Sequence, residues 1–234
     1  MKRILTILVA VLGCEPSPSP PPAAGAGPVT VFAASSLREA ATEVAGQWTT
    51  TSGRDVRFQF EATSTLARQI KEGAKADLFL TAAPEWLDQV KVLDRFDWIS
   101  NRLVIVVPKD AGDIDLQNLE SLALAGEQVP VGKYAKAALG HLGVKLPERI
   151  IYGANVRDVL SKVSHGGAKA GIVYATDAQI DPGVRVGYTF PQESHPKILY
   201  SVGLLTEEAR SLYAAFQEPW ALEIARRHGF VDIK

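Results

Sequence analysis

Apolar residues recur along this chain in two alternating rhythms. Runs such as Val29-Thr30-Val31-Phe32-Ala33 and Asp77-Leu78-Phe79-Leu80-Thr81 are short and hydrophobic, as in strands buried within a sheet. Between them, Leu37, Ala40, Ala41, Val44 and Trp48 fall at the three-and-four spacing of a helix face, and so do Leu66, Ala67 and Ile70. Gly53 and Gly73 stop those two helices, and Val56–Phe60 alternates as a strand between them. Ser36 with Glu39 three residues on predicts a capping box, and Thr63-Ser64-Thr65 opens the second helix. Pro84 sits where a first helical turn tolerates it.

The rhythm restarts after Asn101–Pro108, whose Leu103-Val104-Ile105-Val106-Val107 is apolar throughout. Leu116–Leu124 predicts a short helix or turn, and Pro130-Val131-Gly132 opens a helix that Gly143 closes. Arg149–Tyr152 reads as a strand, and Asn155-Val156-Arg157-Asp158 opens a helix ending at Gly166-Gly167. Gly171–Tyr174 and Val184–Thr189 read as strands, Lys197–Leu205 as an extended apolar segment, and two helices with Pro219 between them finish the chain. Strands alternating with helices across short joints predict an α/β fold of mostly parallel sheets. Two such blocks are expected: domain I at 29–104 and 203–234, domain II at 105–202. Two crossing strands, within Asn101–Pro108 and Lys197–Leu205, would join them.

What precedes Val29 is an address rather than fold. Met1-Lys2-Arg3 is basic, and the apolar run Ile4–Leu12 is too short to span a bilayer, which reads as a secretory signal. Gly13-Cys14 resembles the lipobox of bacterial lipoproteins, so residues 1–13 are expected to be cleaved and Cys14 to carry lipid. The alternative is an ordinary export signal cut near Ala23-Ala24. Residues 14–28 are rich in proline, alanine and glycine and predict a tether that holds a folded body off a membrane.

Charge and cysteine content exclude several classes. There are 25 basic and 26 acidic residues, a formal charge of −1, so the basic footprint of a nucleic-acid binder is missing. One cysteine builds neither a disulfide framework nor a cysteine-rich metal site. His141, His165, His195 and His228 have no metal-ligand spacing, and no phosphate-binding glycine loop occurs. A secreted hydrolase assembled from Ser36, a histidine and Asp177 has no Gly-x-Ser-x-Gly elbow and no obvious base for the serine. Lys133 reads as a lone, solvated cation.

Small or hydroxyl residues mark four strand-to-helix junctions: Ser35-Ser36, Thr63-Ser64-Thr65, Pro130-Val131-Gly132 and Asn155-Val156. Ordinary N-caps explain each one singly. Together, at the carboxyl ends of sheet strands, they could aim several helix N-termini at one point and bind an anion without Lys or Arg.

The same segments resemble the periplasmic molybdate-binding proteins of ABC transporters. The likeness runs through Val31-Phe32-Ala33-Ala34-Ser35-Ser36-Leu37, Thr63–Ile70, Ala76–Ala82, Asn101-Arg102-Leu103-Val104, Val129–Ala135, Asn155-Val156-Arg157 and Gly171–Ala178, and spans Val29 to the C-terminus. It implies a two-domain, hinge-bending binding protein of periplasmic-binding-protein type II, and no enzyme. Ser36 and Thr63 would donate hydroxyl and amide groups, Val131 and Val156 backbone N–H groups, and Tyr174 its phenol, to molybdate or tungstate. No further cofactor is implied. The partners would be a membrane permease and its cytoplasmic ATPase, with the binding protein a lipid-tethered monomer outside the cytoplasm. Sulfate or phosphate is the alternative ligand.

Three departures from the family pattern stand out. Thr63 replaces a common serine and keeps the donor. Ala125-Gly126-Glu127-Gln128 is shorter than usual ahead of Val129, which bears on where the Val131 amide sits. Glu61 lies close to the proposed anion, and repulsion predicts that it faces solvent.

Overall fold

In the computed structural model the described residues are 27–233, so the signal segment, Cys14 and the proline run lie outside them. The first sheet has strand order β2-β1-β3-β10-β4. It is built from β1 (Val29–Ala34), β2 (Val56–Glu61), β3 (Leu78–Thr81) and β4 (Asp94–Ser100), with the late strand β10 (Leu199–Leu204) between β3 and β4. Helix α1 (Arg38–Ser52) follows β1, and α2 (Thr63–Lys71) follows β2. The chain then crosses to a second sheet of order β7-β6-β8-β5-β9. This contains β5 (Leu103–Pro108), β6 (Ser121–Ala125), β7 (Arg149–Gly153), β8 (Ala170–Tyr174) and β9 (Val184–Thr189). Its helices are α3 (Pro130–His141), α4 (Val156–Ser164) and α5 (Ala175–Ile180). After β10, α6 (Arg210–Ala215) and α7 (Pro219–Arg227) pack back on α1, so the chain crosses twice.

Both faces of each sheet are covered, which explains the unbroken apolar runs. In β1, Val31 and Ala33 face the main core while Phe32 joins a smaller cluster with Leu66, Phe79 and Leu87 under α2. The pairing register matters for function. Ala34 lies beside Glu61 and Ala33 beside Leu80, so the carboxyl ends of β1, β2 and β3 open at one edge. In the second sheet Ala125 lies beside Gly153, which brings the starts of α3 and α4 together in the same way.

The sheets depart from expectation in four ways. They are mixed rather than mostly parallel, because β10 runs antiparallel to both β3 and β4, and β5 to both β8 and β9. The strands that carry the chain between lobes enter each sheet against its parallel strands. Ser121–Ala125 is a buried inner strand, not part of a helix or turn; its Leu/Ala alternation is ambiguous by composition. Asp94–Ser100 is an edge strand whose exposed charges hide its alternation. Finally, β5 belongs wholly to the second sheet and β10 wholly to the first. The crossings are therefore the Asn101-Arg102 joint and the 190–198 segment, a few residues ahead of the expected 104/105 and 202/203 boundaries.

The crossings are tied together. Ser100 Oγ donates to the Ile198 carbonyl at 2.6 Å, and Ser100 and Val231 exchange backbone hydrogen bonds of 2.8 and 3.0 Å. Asn101 Nδ2 donates to Thr176 Oγ1 of the second lobe at 2.9 Å and to the Tyr200 hydroxyl of the first at 3.3 Å.

Candidate functional site

Each candidate residue owes its position to a helix start. Ser36 lies in a 3-10 turn, Ser35–Leu37, between β1 and α1. The expected capping box does not form, since no side chain caps either helix there. The Ser36 Oγ instead lies 3.1 Å from the Tyr200 hydroxyl. Thr63 is the first residue of α2, and its Oγ1 accepts the Ala82 N–H at 3.0 Å. The threonine proton is thereby left to point elsewhere.

Pro130 opens α3 and has no N–H, so Val131 offers the first free amide of that helix, with no side chain capping it. The short Ala125–Val129 connection is accommodated by Gly132. A Cβ there would stand 2.2 Å from the Gly126 carbonyl oxygen and 2.4 Å from that of Ala125. Asn155 caps α4 by accepting the Arg157 and Asp158 amides at 3.0 and 3.1 Å. The amide of Val156, one residue earlier, is outside that cap. Tyr174 ends β8 at 1% exposure, and its hydroxyl is a buried polar atom without a hydrogen-bond partner.

Ser36, Thr63, Val131, Val156 and Tyr174 line one small cavity between the lobes. The cavity is small, about 10 Å³, at the lower limit for one water-sized species. No Lys, Arg or His side chain lines it, and Glu61 is its one carboxylate. The N-termini of α2, α3 and α4 all reach this cavity, each bringing about half a positive charge. Burial, reinforced by the neighbouring tyrosines, holds the Tyr174 phenol well above its ordinary pKa. It stays protonated at neutral pH and can only help an anion as a donor. Chemically the cavity is a set of uncharged donors in a positive field, suited to a small, unprotonated anion.

Two expectations about nearby charges are corrected. Glu61 does not face solvent; it is half-buried at the cavity rim and its Oε2 accepts from Asn155 Nδ2 of the other lobe at 3.2 Å. The asparagine is fixed with its oxygen on the helix amides, which turns its NH2 toward that carboxylate. Lys133 is not solvated alone but pairs across the cleft with Glu85 at 2.5 Å. The hydrolase arrangement is not assembled either, because Ser36 meets Tyr200 and Asp177 meets Arg157, at 2.5 Å from Nε. Among the described residues no group of His, Cys, Asp and Glu could hold a metal ion. A separate cavity of about 560 Å³ is lined by the crossing residues Ser100, Asn101 and Arg102 and by none of the five candidates.

Sequence reasoning missed Tyr200, Asn101 and Arg157. Tyr200 sits in a run that reads only as apolar strand, and Asn101 only as a joint. Their roles come from contacts 99–164 residues apart in the chain.

With this geometry in view, the likenesses of the chain to known proteins become specific. Residues 29–231 match the bacterial extracellular solute-binding proteins. The chain belongs to that family. Its relatives include the molybdate-binding protein ModA of Escherichia coli, 39% identical over 87% of this chain and 89% of that one. Another is YvgL of Bacillus subtilis, named as a candidate substrate-binding lipoprotein of an ABC transporter, 29% identical over 97% of this chain and 95% of that one. Among solved structures, the periplasmic molybdate-binding protein of Azotobacter vinelandii superposes with a TM-score of 0.76. It covers 88% of this chain and 100% of its own at 22% identity, which speaks for the fold alone. This chain has two α/β lobes, each a five-stranded mixed sheet flanked by helices. No helix among the described residues is long and apolar enough to cross a membrane.

Proposed function

We propose that this protein captures molybdate, and also tungstate, in the interlobe cavity and delivers it to the permease of an ABC importer. Ser36, Thr63 and Tyr174 donate hydroxyl groups to the oxyanion, and Val131 and Val156 donate backbone amides. A monomer tethered through lipid on Cys14 would keep the loaded protein close to its permease.

One observation carries the reading: the Tyr174 hydroxyl, buried and without a partner, shares a cavity with four helix-start donors from both lobes. A buried hydroxyl that donates to nothing costs about 1–3 kcal/mol, a cost that an oxyanion acceptor would remove. A donor-only site penalises protonated phosphate, whose O–H would face another donor. Sulfate carries the same charge as molybdate but is smaller, so packed walls must discriminate by size.

Thermal unfolding with molybdate, tungstate, sulfate and phosphate tests the reading. Ligand at 1,000 times its dissociation constant adds about 4 kcal/mol of stability. Large shifts with molybdate and tungstate alone are expected. A shift only with sulfate or phosphate would reassign the ligand, and no shift with any of them would remove the oxyanion site.

A further inference from the structure

Arg157 crosses the cleft. Its Nη1 and Nη2 donate to Glu39 Oε1 and Oε2 at 2.9 and 2.5 Å, while its Nε donates to Asp177 Oδ1 at 2.5 Å. Glu39 stands in the first turn of α1 in the first lobe, whereas Arg157 and Asp177 belong to α4 and α5 of the second. The two-pronged contact with Glu39 is the planar geometry in which a guanidinium binds a carboxylate most strongly and most directionally.

The positions of these groups relative to the cavity give the pair its meaning. Arg157 follows Val156 in α4, and Glu39 lies three residues beyond Ser36. The helix ends that offer donors to the cavity are therefore the ends joined by the ion pair. We propose that Arg157 and Glu39 act as a clasp that couples lobe closure to anion capture, setting how long the anion is held without touching it. This rests on the reading of the cavity as an oxyanion site. Asp177 is wholly buried in the same lobe as Arg157 and holds the guanidinium aimed, so Glu39 is the partner that closure brings in. The Lys133–Glu85 pair also bridges the lobes, but both side chains are about half exposed and more heavily screened.

Stopped-flow and calorimetric titration of molybdate, at low and high NaCl, test the clasp in wild type, Glu39→Gln and Arg157→Lys. Glu39→Gln leaves Arg157 paired with Asp177, so the fold keeps its buried pair. Its affinity should fall about 5–20-fold, almost wholly through faster dissociation, with the ligand-free melting temperature lowered by only about a degree or two. Arg157→Lys, which keeps charge but loses the fork, should fall between the two. Salt should weaken wild type more than Glu39→Gln. Equal dissociation rates in wild type and Glu39→Gln would overturn the clasp. So would an affinity loss carried by slower association instead of faster dissociation. Failure of wild type to bind molybdate would overturn the oxyanion reading instead. The clasp would then be read from small-angle scattering of the anion-free proteins. A larger radius of gyration in Glu39→Gln supports it, and equal radii at low salt overturn it.

Discussion

The hydroxyl oxygens of Ser36 and Tyr200 lie 3.1 Å apart, although 164 residues separate them in the chain. Tyr200 also accepts from Asn101 Nδ2 at 3.3 Å, so its own proton is free to be given to Ser36 Oγ. The serine proton is then left for the cavity. Polarised in series, such hydrogen bonds strengthen one another. Asn101 lies at the first crossing, so the donor set is anchored where the chain passes from one sheet to the other.

Tyr200→Phe should therefore weaken molybdate binding about 3–20-fold without removing any group that lines the cavity. Ser36→Ala should cost about 10–100-fold, the loss of one hydrogen bond to a charged group. Because Tyr200 acts only through Ser36, the double variant should bind no worse than Ser36→Ala alone. Calorimetric titration of the four proteins closes the cycle; additive losses would mean that Tyr200 acts by another route.

Tyr174→Phe should separate stability from function. The variant deletes a buried hydroxyl that has no partner, so the ligand-free protein should melt a few degrees higher than wild type. Molybdate affinity should fall at least tenfold. Differential scanning calorimetry with and without molybdate reads both effects. A lower ligand-free melting temperature would show that the hydroxyl has a structural partner instead.

Much of this was legible in the sequence, and the reasons it was legible also explain what was not. Helix starts announce themselves locally, through Pro130 at a first turn and Asn155 at a cap, and the cavity is lined by those starts. Strand order is non-local: that β10 lies between β3 and β4 depends on the returning chain, which no periodicity records. Ser36 and Glu39 matched a capping box because their spacing fits one. Both side chains reach tertiary partners instead, Tyr200 and Arg157, which outcompete the local bond. The placement of Glu61 is hidden for the same reason, since its partner Asn155 lies 94 residues away in the chain.

Glu61 remains the one carboxylate lining the cavity, so it should lower affinity for a dianion. Glu61→Gln keeps an acceptor for Asn155 Nδ2 and removes the charge. Molybdate affinity should rise a few-fold, the scale of a solvent-screened charge interaction of about 0.2–1 kcal/mol. Raising NaCl should shrink the gain. A loss of affinity in titration would mean that the ionised carboxylate itself is needed to hold Asn155 and the start of α4.

Asp177 makes stability depend on pH. Burial pushes its carboxyl up to about 6 despite the opposing Arg157, whereas an ordinary aspartate titrates near 3.8. A group whose folded pKa is raised contributes stability below its unfolded pKa and loses it as pH climbs through the folded one. For Asp177 that window runs from about pH 4 to just above pH 6. Glu39 has the opposite sign. Burial raises its pKa, but the Arg157 hydrogen bond and charge outweigh this and hold it below the usual 4.5. Its contribution is present above that pH and is lost on acidification. Asp177→Asn removes the first effect and leaves Glu39 to hold the guanidinium. Wild-type stability relative to Asp177→Asn, from urea unfolding of the anion-free proteins, should therefore fall between pH 4 and pH 7, by on the order of 1–3 kcal/mol. A difference that stays flat or rises over that range would show that Arg157 keeps Asp177 ionised throughout.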